Sequence, residues 1–143
     1  MKILIMGLPG SGKTTLAKAL ANRLSAVHWN ADEVRGMVGK QIPGGPGDRL
    51  EQAKRMRFLC DTVSQAGYIA IADFVCPTPE AREAFDADFI IWVDRIKEGR
   101  FEDTNKMFVP PELFDFRVSG GFSMDHYAEE ISIAIEPEVA CAF

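Results

Sequence analysis

A short apolar run, "KILIM" (2–6), leads directly into "GLPGSGKTTLAKAL" (7–20). A buried strand, a glycine-rich turn and a helix must follow one another without a break, which few folds accommodate. Gly7, four residues, then Gly12, Lys13 and Thr14 complete the pattern G-x-x-x-x-G-K-[ST] in that strand-to-helix setting. Glycines there let backbone N–H groups turn inward, and the helix N-terminus adds the positive end of its dipole. Such a concavity holds phosphate oxygens, with Lys13 reaching the terminal phosphates and the Thr14 hydroxyl available to Mg²⁺. The chain is therefore read as a binder of a nucleoside triphosphate. A glycine-rich turn without a ligand is the structural alternative, and the flanking strand and helix weigh against it.

The remaining elements follow from periodicity. A helix runs from Gly12 or Lys13 through Leu16, Ala17, Leu20 and Leu24, and "AVHW" (26–29) is a strand ending at Asn30. A short helix through Val34 precedes the loop "GKQIPGGPG" (39–47). Asp48 to Gln65 is a helix with the stripe Leu50, Ala53, Met56, Cys60 and Val63, capped by Asp48 and ended by Gly67. "YIAIA" (68–72) and "DFIIWV" (88–93) are strands joined by a segment with the helical "PEAREAF"; "FDFRV" (114–118) is a weaker fifth strand. Tyr127, Ile131, Ala134 and Ile135 give a last helix its buried face. Apolar strands alternating with helices predict a three-layer α/β phosphate-loop fold with a parallel sheet of about five strands, its ligands at the strands' carboxyl ends.

The 143 residues suit a single domain, 1–143, and the apolar run after Lys2 is too short for a secretory leader. No stretch approaches the roughly 20 apolar residues that cross a membrane. Cys60, Cys76 and Cys141 are odd in number and lack metal-ligand spacing with His28 or His126, as expected of reduced thiols in a cytoplasmic protein. A net charge of −5 argues against nucleic acid as a partner, although a local basic groove fits within an acidic whole.

Hydrolysis, sensing and phosphoryl transfer all use such a loop. Transfer to an acceptor needs a second site beside the terminal phosphate, with a carboxylate to orient a hydroxyl and cations to hold the acceptor. "NADEVR" places Asp32 just past the second strand and Arg35 one turn later. "GDRLEQAKR" spaces Arg49, Gln52 and Arg55 three apart on the long helix, and "ADFVCP" puts Asp73 at the tip of the third strand. Asp32 as a mere helix cap, and Arg49 and Arg55 as a solvated face, are the structural alternatives. An apolar strand ending in Asp commonly positions a Mg²⁺-associated carboxylate. Together these features favour a small-molecule kinase.

The phosphate loop, "NADEVRG", "DRLEQAKR" and "AGYIAIADFVCPTPEAR", in that order, resemble the adenylylsulfate kinases, up to about Arg117. The ordered set is far more specific than the loop alone. The resemblance implies ATP and Mg²⁺ as cofactors, and adenylylsulfate, phosphorylated on its 3′-hydroxyl, as the acceptor. It implies that Gly7, Leu8, Pro9, Gly10, Ser11, Gly12, Lys13, Thr14 and Thr15 bind ATP. Asp32 matches the second acid of the family's Asp-Gly-Asp motif, the base or orienter of the acceptor hydroxyl. Arg35 and Arg49 match arginines that hold the acceptor's phosphosulfate, Gln52 stands where the family has an asparagine, and Phe74, Val75 and Cys76 match the segment lining the acceptor pocket. A homodimer is compatible with the resemblance.

Three departures stand out. Asn30 replaces the first acid of Asp-Gly-Asp, and Asp73 replaces a serine after the third strand, so no phosphoserine forms there. With the second and third strands expected as neighbours, the carboxylate is read as moved from one strand to the other, making Lys13, Asp32 and Asp73 the catalytic set and Thr14 and Asp73 the metal-side pair. The loop 39–47 lacks the aromatic residue that covers the acceptor's adenine in the family; Pro46 is nearby. The lid after the fourth strand is reduced to "RIKEGRFEDTNKMFVPP" (95–111) without a lid helix, leaving Lys97, Arg100 and Lys106 as candidates for closing the site and Phe101 or Phe108 for stacking. A polynucleotide 5′-hydroxyl kinase is the nearest rival, since a short lid leaves room for a long acceptor. A non-catalytic ATP-binding module is the rival from another class.

Overall fold

The computed structural model describes residues 1–39 and 44–142, with side chains to residue 136 in the last helix. Lys2–Met6 (β1) is buried throughout and lies at the centre of a five-stranded parallel sheet. In chain order follow α1 (Lys13–Leu24), β2 (Val27–Asn30), α2 (Ala31–Met37), α3 (Pro46–Gln65), β3 (Ala70–Asp73), α4 (Pro79–Phe85), β4 (Phe89–Val93), α5 (Glu102–Met107), β5 (Phe116–Val118) and α6 (Met124–Ala142). The strand order is β2-β3-β1-β4-β5, the expected α/β architecture.

Side chains alternate across a strand, so β1 feeds two cores. Ile3 and Ile5 join Leu16, Leu20, Ile71, Ile91, Ile131 and Ile135 on the face covered by α1 and α6. Leu4 and Met6 join Met56, Cys60, Ala72, Phe74 and Phe85 on the face covered by α3 and α4. Because both faces are covered, β1 reads as an unbroken apolar run. With β3 on one side of β1 and β4 on the other, the chain reverses direction across the sheet at β1, and the crevice for a ligand opens beyond the strand's carboxyl end.

Several boundaries differ from expectation. α3 begins at Pro46, because a proline at the first helical position brings its φ preset and lacks only an N–H that would go unused. Gly45, not Asp48, is its N-cap; the Asp48 carboxylate instead accepts from the Gly44 N–H at 2.9 Å. Of the loop 39–47, residues 40–43 lie outside the described residues. β3 starts at Ala70, leaving Tyr68 exposed, and Leu50 and Val63 are only half-buried. On α6, Ala128 takes the buried place expected of Ala134, which faces outward. The 95–111 segment contains α5, a helix the sequence did not announce.

Leu20 is fully buried in the core shared by β1, α1 and α6. Leu20→Ala should lower the unfolding free energy by about 2–5 kcal/mol, measured by urea denaturation.

Candidate functional site

The turn after β1 is shaped by a close approach. Gly7 has φ +153, and a Cβ there would lie 2.5 Å from the Val93 carbonyl oxygen at the end of β4, so no side chain fits. Inside the turn the Ser11 N–H donates to the Leu8 carbonyl at 3.2 Å, and α1 starts at Lys13. The Lys13 ammonium folds back over the loop and donates to the Leu8 carbonyl at 2.9 Å. Burial lowers its pKa from 10.5 to about 8, opposed by the Asp73 and Asp32 carboxylates and reinforced by the Arg100 guanidinium.

Beside the loop, β2 and β3 are neighbours, with Asn30 in register with Asp73. The Asn30 amide donates to both Asp73 carboxylate oxygens at 3.2 Å and to Thr14 Oγ1 at 3.2 Å. Thr14 Oγ1 donates to Asp73 Oδ1 at 3.1 Å, and His28, two residues before Asn30, hydrogen-bonds Asp73 Oδ2 through Nε2. A hydroxyl has one donor and two acceptor lone pairs. With its proton on Asp73 and one lone pair on Asn30, Thr14 keeps one lone pair for a cation.

The opposite wall comes from α2 and α3. Asn30, not Asp32, caps α2: its side chain accepts from the Glu33 N–H at 3.0 Å, which leaves the exposed Asp32 free of a capping role. Arg35 is buried and donates through Nη1 to Asp48 Oδ2 at 2.7 Å. Arg49 is likewise buried; burial, with the Arg35 guanidinium second, lowers its pKa, and Asp48 and Asp32 offset part of that. Gln52 donates to the Ala31 carbonyl at 2.9 Å, joining α3 to α2. Arg55 pairs with Glu51 and reaches Gln52, outside the cavity. Beyond β3, Cys76 sits at φ +47 with its thiol pushed by burial up to about 12.

Pro9, Gly10, Gly12, Lys13, Thr14 and Thr15 line one cavity of about 310 Å³ together with Asp32, Arg35, Arg49, Gln52, Asp73, Phe74, Val75 and Cys76. Gly7, Leu8 and Ser11, also expected at the phosphates, are not among the lining residues. Arg100 and Phe101 complete the lining, whereas Lys97 is solvated beside Asp94, Lys106 pairs with Glu102, and Phe108 packs on Arg82 and the α3/α4 core. The lid segment rests on the phosphate loop: a Cβ at Gly99 would lie 2.9 Å from Pro9 Cδ. Sequence reasoning missed His28, although period-two alternation places it on the face of Asn30. It also missed Thr104 and Asn105, which carry no local signal.

Because the unfolded lysine keeps its pKa near 10.5 and the native one is near 8, the native state carries the cost of a buried charge below pH 8. The unfolded chain binds the extra proton between those values, so stability from this group rises with pH across that window. Lys13→Met should leave the melting temperature of the unliganded chain undiminished near pH 7 while abolishing the ATP-induced increase. ATP affinity of the unsubstituted chain should weaken as pH rises above about 8, where the ammonium loses its proton; titration calorimetry at both pH values checks this.

A sequence model of the adenylylsulphate kinase family matches residues 1–91. The adenylyl-sulfate kinase of Oceanobacillus iheyensis is 34% identical over 82 residues, 54% of this chain and 41% of that protein. That of Shewanella pealeana is 34% identical over 130 residues, 87% of this chain and 60% of that protein. The chain thus spans less than two thirds of the length of these curated relatives. Among solved structures, the APS kinase of Mycobacterium tuberculosis in complex with AMPPNP and APS superposes with a TM-score of 0.80 at 18% identity, covering 94% of this chain and 96% of that one. The shikimate kinase of Aquifex aeolicus gives 0.68 at 20% identity, covering 98% and 99%. These two likenesses establish the phosphate-loop kinase fold, and the match over residues 1–91 establishes the lineage: the chain belongs to the adenylylsulfate kinase family.

Proposed function

We propose that the protein transfers the terminal phosphoryl group of ATP to the 3′-hydroxyl of adenylylsulfate, giving 3′-phosphoadenylylsulfate and ADP. The observation that carries this reading is a single cavity lined both by the phosphate loop and by the buried pair Arg35 and Arg49, with Asp32 on its wall. A triphosphate seats on Lys13 and the backbone N–H groups of Gly10, Gly12, Thr14 and Thr15, the loop residues that line the cavity.

Among the described residues no group of three or more His, Cys, Asp or Glu side chains forms a self-sufficient metal site. Mg²⁺ suits this arrangement, since it prefers few protein oxygens plus phosphates and water. Thr14 would hold it through the remaining lone pair, with Asp73 behind Thr14 supplying the negative charge. Bound there, Mg²⁺ supplies charge neutralisation on the phosphate oxygens.

The acceptor's phosphosulfate lies against Arg35 and Arg49, whose planar forks suit oxyanions. Asp32 orients the 3′-hydroxyl and takes its proton as the new P–O bond forms and the bond to ADP breaks. Phe74, Val75, Cys76 and Gln52 shape the acceptor's pocket. Lys13 and Arg100 offset charge on the transferring group, and Phe101 offers a face for stacking. Two observations argue against the rivals. The lid segment lies on the phosphate loop rather than leaving the site open to a polynucleotide, and a sensor would have no use for a buried acceptor wall. Both described free cysteines, Cys60 and Cys76, are buried, in keeping with our reading of a cytoplasmic protein.

ADP release from ATP·Mg²⁺ by the purified protein should be strongly stimulated by adenylylsulfate; a flat response beside tight ATP binding would overturn the reading. Asp73→Asn should lower Mg²⁺-dependent turnover roughly 10–100-fold, the usual cost of losing a group that supports a metal ligand, and leave nucleotide binding much less affected. Equal losses in turnover and binding would show that Asp73 serves the loop's structure alone.

A further inference from the structure

Arg49 and Arg100 line the same cavity from different elements, α3 and the lid turn, and the six-residue helix α5 lies between them. Arg49 donates through Nε to the Gly44 carbonyl at 3.2 Å and through Nη2 to Thr104 Oγ1 at 2.7 Å. Thr104 is on α5 and almost fully buried. These bonds fix the plane of the guanidinium and leave its other donors for the cavity. The next residue, Asn105, grips the turn before Arg100: the Gly99 N–H donates to Asn105 Oδ1 at 2.7 Å, and Asn105 Nδ2 donates back to the Gly99 carbonyl at 3.1 Å. That turn is the part of the lid pressed on Pro9.

We propose that Thr104 is a positioning residue that couples occupancy of the Arg49 anion site to placement of the lid cation Arg100. The role rests on the acceptor-site reading above. An anion drawn to Arg49 tightens the orientation that the Thr104 hydroxyl sets; through α5 and Asn105 the same bond holds the Gly99–Phe101 turn over the phosphate loop. The coupling is reciprocal, so a lid released from Thr104 weakens the anion site as well. Neither serine nor valine changes the volume of the site much. Only valine removes the oxygen that accepts from the buried guanidinium.

Thr104→Val should raise the KM for adenylylsulfate roughly tenfold, the scale of a lost hydrogen bond to a charged group, and lower kcat, with the KM for ATP unchanged. Thr104→Ser should restore the unsubstituted values. An unchanged acceptor KM, equal rises in both KM values, or a Thr104→Ser protein as impaired as Thr104→Val would overturn the proposal. A second readout separates this outcome from failure of the acceptor assignment. With ADP·Mg²⁺ in the phosphate loop, inorganic sulfate should slow tryptic cleavage after Lys97 and Arg100 in the unsubstituted protein and not in Thr104→Val. Should adenylylsulfate fail as an acceptor, the kinase reading falls and the sulfate experiment still decides the role of Thr104. Protection in both proteins, or in neither, overturns it.

Discussion

The Asp73 carboxylate, buried at the carboxyl end of β3, is the point on which the rest of the site depends. A carboxylate in such a position is tolerable only when donors surround it. Here they come from three places: Thr14 at the start of α1, Asn30 at the end of β2, and His28 within β2. Asn30 reaches it because parallel pairing sets Asn30 opposite Asp73, in the register that also sets Trp29 opposite Ala72 and His28 opposite Ile71. A slip of one residue would turn every side chain of β2 to the other face and leave the carboxylate short of donors. Sheet register thus places the phosphate loop relative to the wall built by α2 and α3, and the hydrogen bonds at Asp73 report that the register is met.

The second constraint is electrostatic. Lys13, Arg35, Arg49 and Arg100 line a cavity in a chain whose net charge is −5. Asp48 pairs with Arg35, and Asp32 and Asp73 line the same cavity, yet burial still lowers the pKa values of Lys13 and Arg49. Each lowered value says that the charged form costs more here than in water. Lys13 is held by the Leu8 carbonyl, Arg35 by Asp48 and Arg49 by Gly44 and Thr104, so these cations are fixed by the protein itself, the condition under which charges favour a developing negative charge. Their concentration in one concave site also focuses the field that an overall negative surface would otherwise oppose.

Much of this was legible in the sequence because the two strongest signals are local. Phosphate-loop spacing is a backbone requirement, visible at Gly7 as a contact that excludes a side chain. The strands are apolar runs because both faces of the sheet are covered, and "PEAREAF" is a helix over its whole length. Less legible were features decided by distant partners. The start of α3 was hidden because Pro46-Gly47 resembles a loop until the proline is seen at the first helical position. Ala128 and Ala134 flank Ile131 on opposite sides of the apolar stripe of α6, and the core takes the side of Ala128. α5 has no apolar period of its own. It is held by Thr104 on Arg49, 55 residues away in sequence, and by Asn105 on Gly99.

The segment between β4 and β5 is placed by fixed contacts rather than by a core of its own. A long lid helix must be ordered each time it closes, at the cost of the conformational entropy of every residue it immobilises. In this chain the segment between β4 and β5 is fastened along its length: Arg117 to Asp94 at its base, Gly99 against Pro9, Thr104 to Arg49, and the Val109 N–H to the Pro77 carbonyl at 2.8 Å. Arg82 adds a further tie by donating to the carbonyls of Cys76 and Val109, which joins the lid's far end to the segment that lines the cavity. The cation at Arg100 and the ring of Phe101 are thereby held at the cavity wall. These long-range contacts, rather than an apolar period of its own, hold α5 and the turn before it against the phosphate loop.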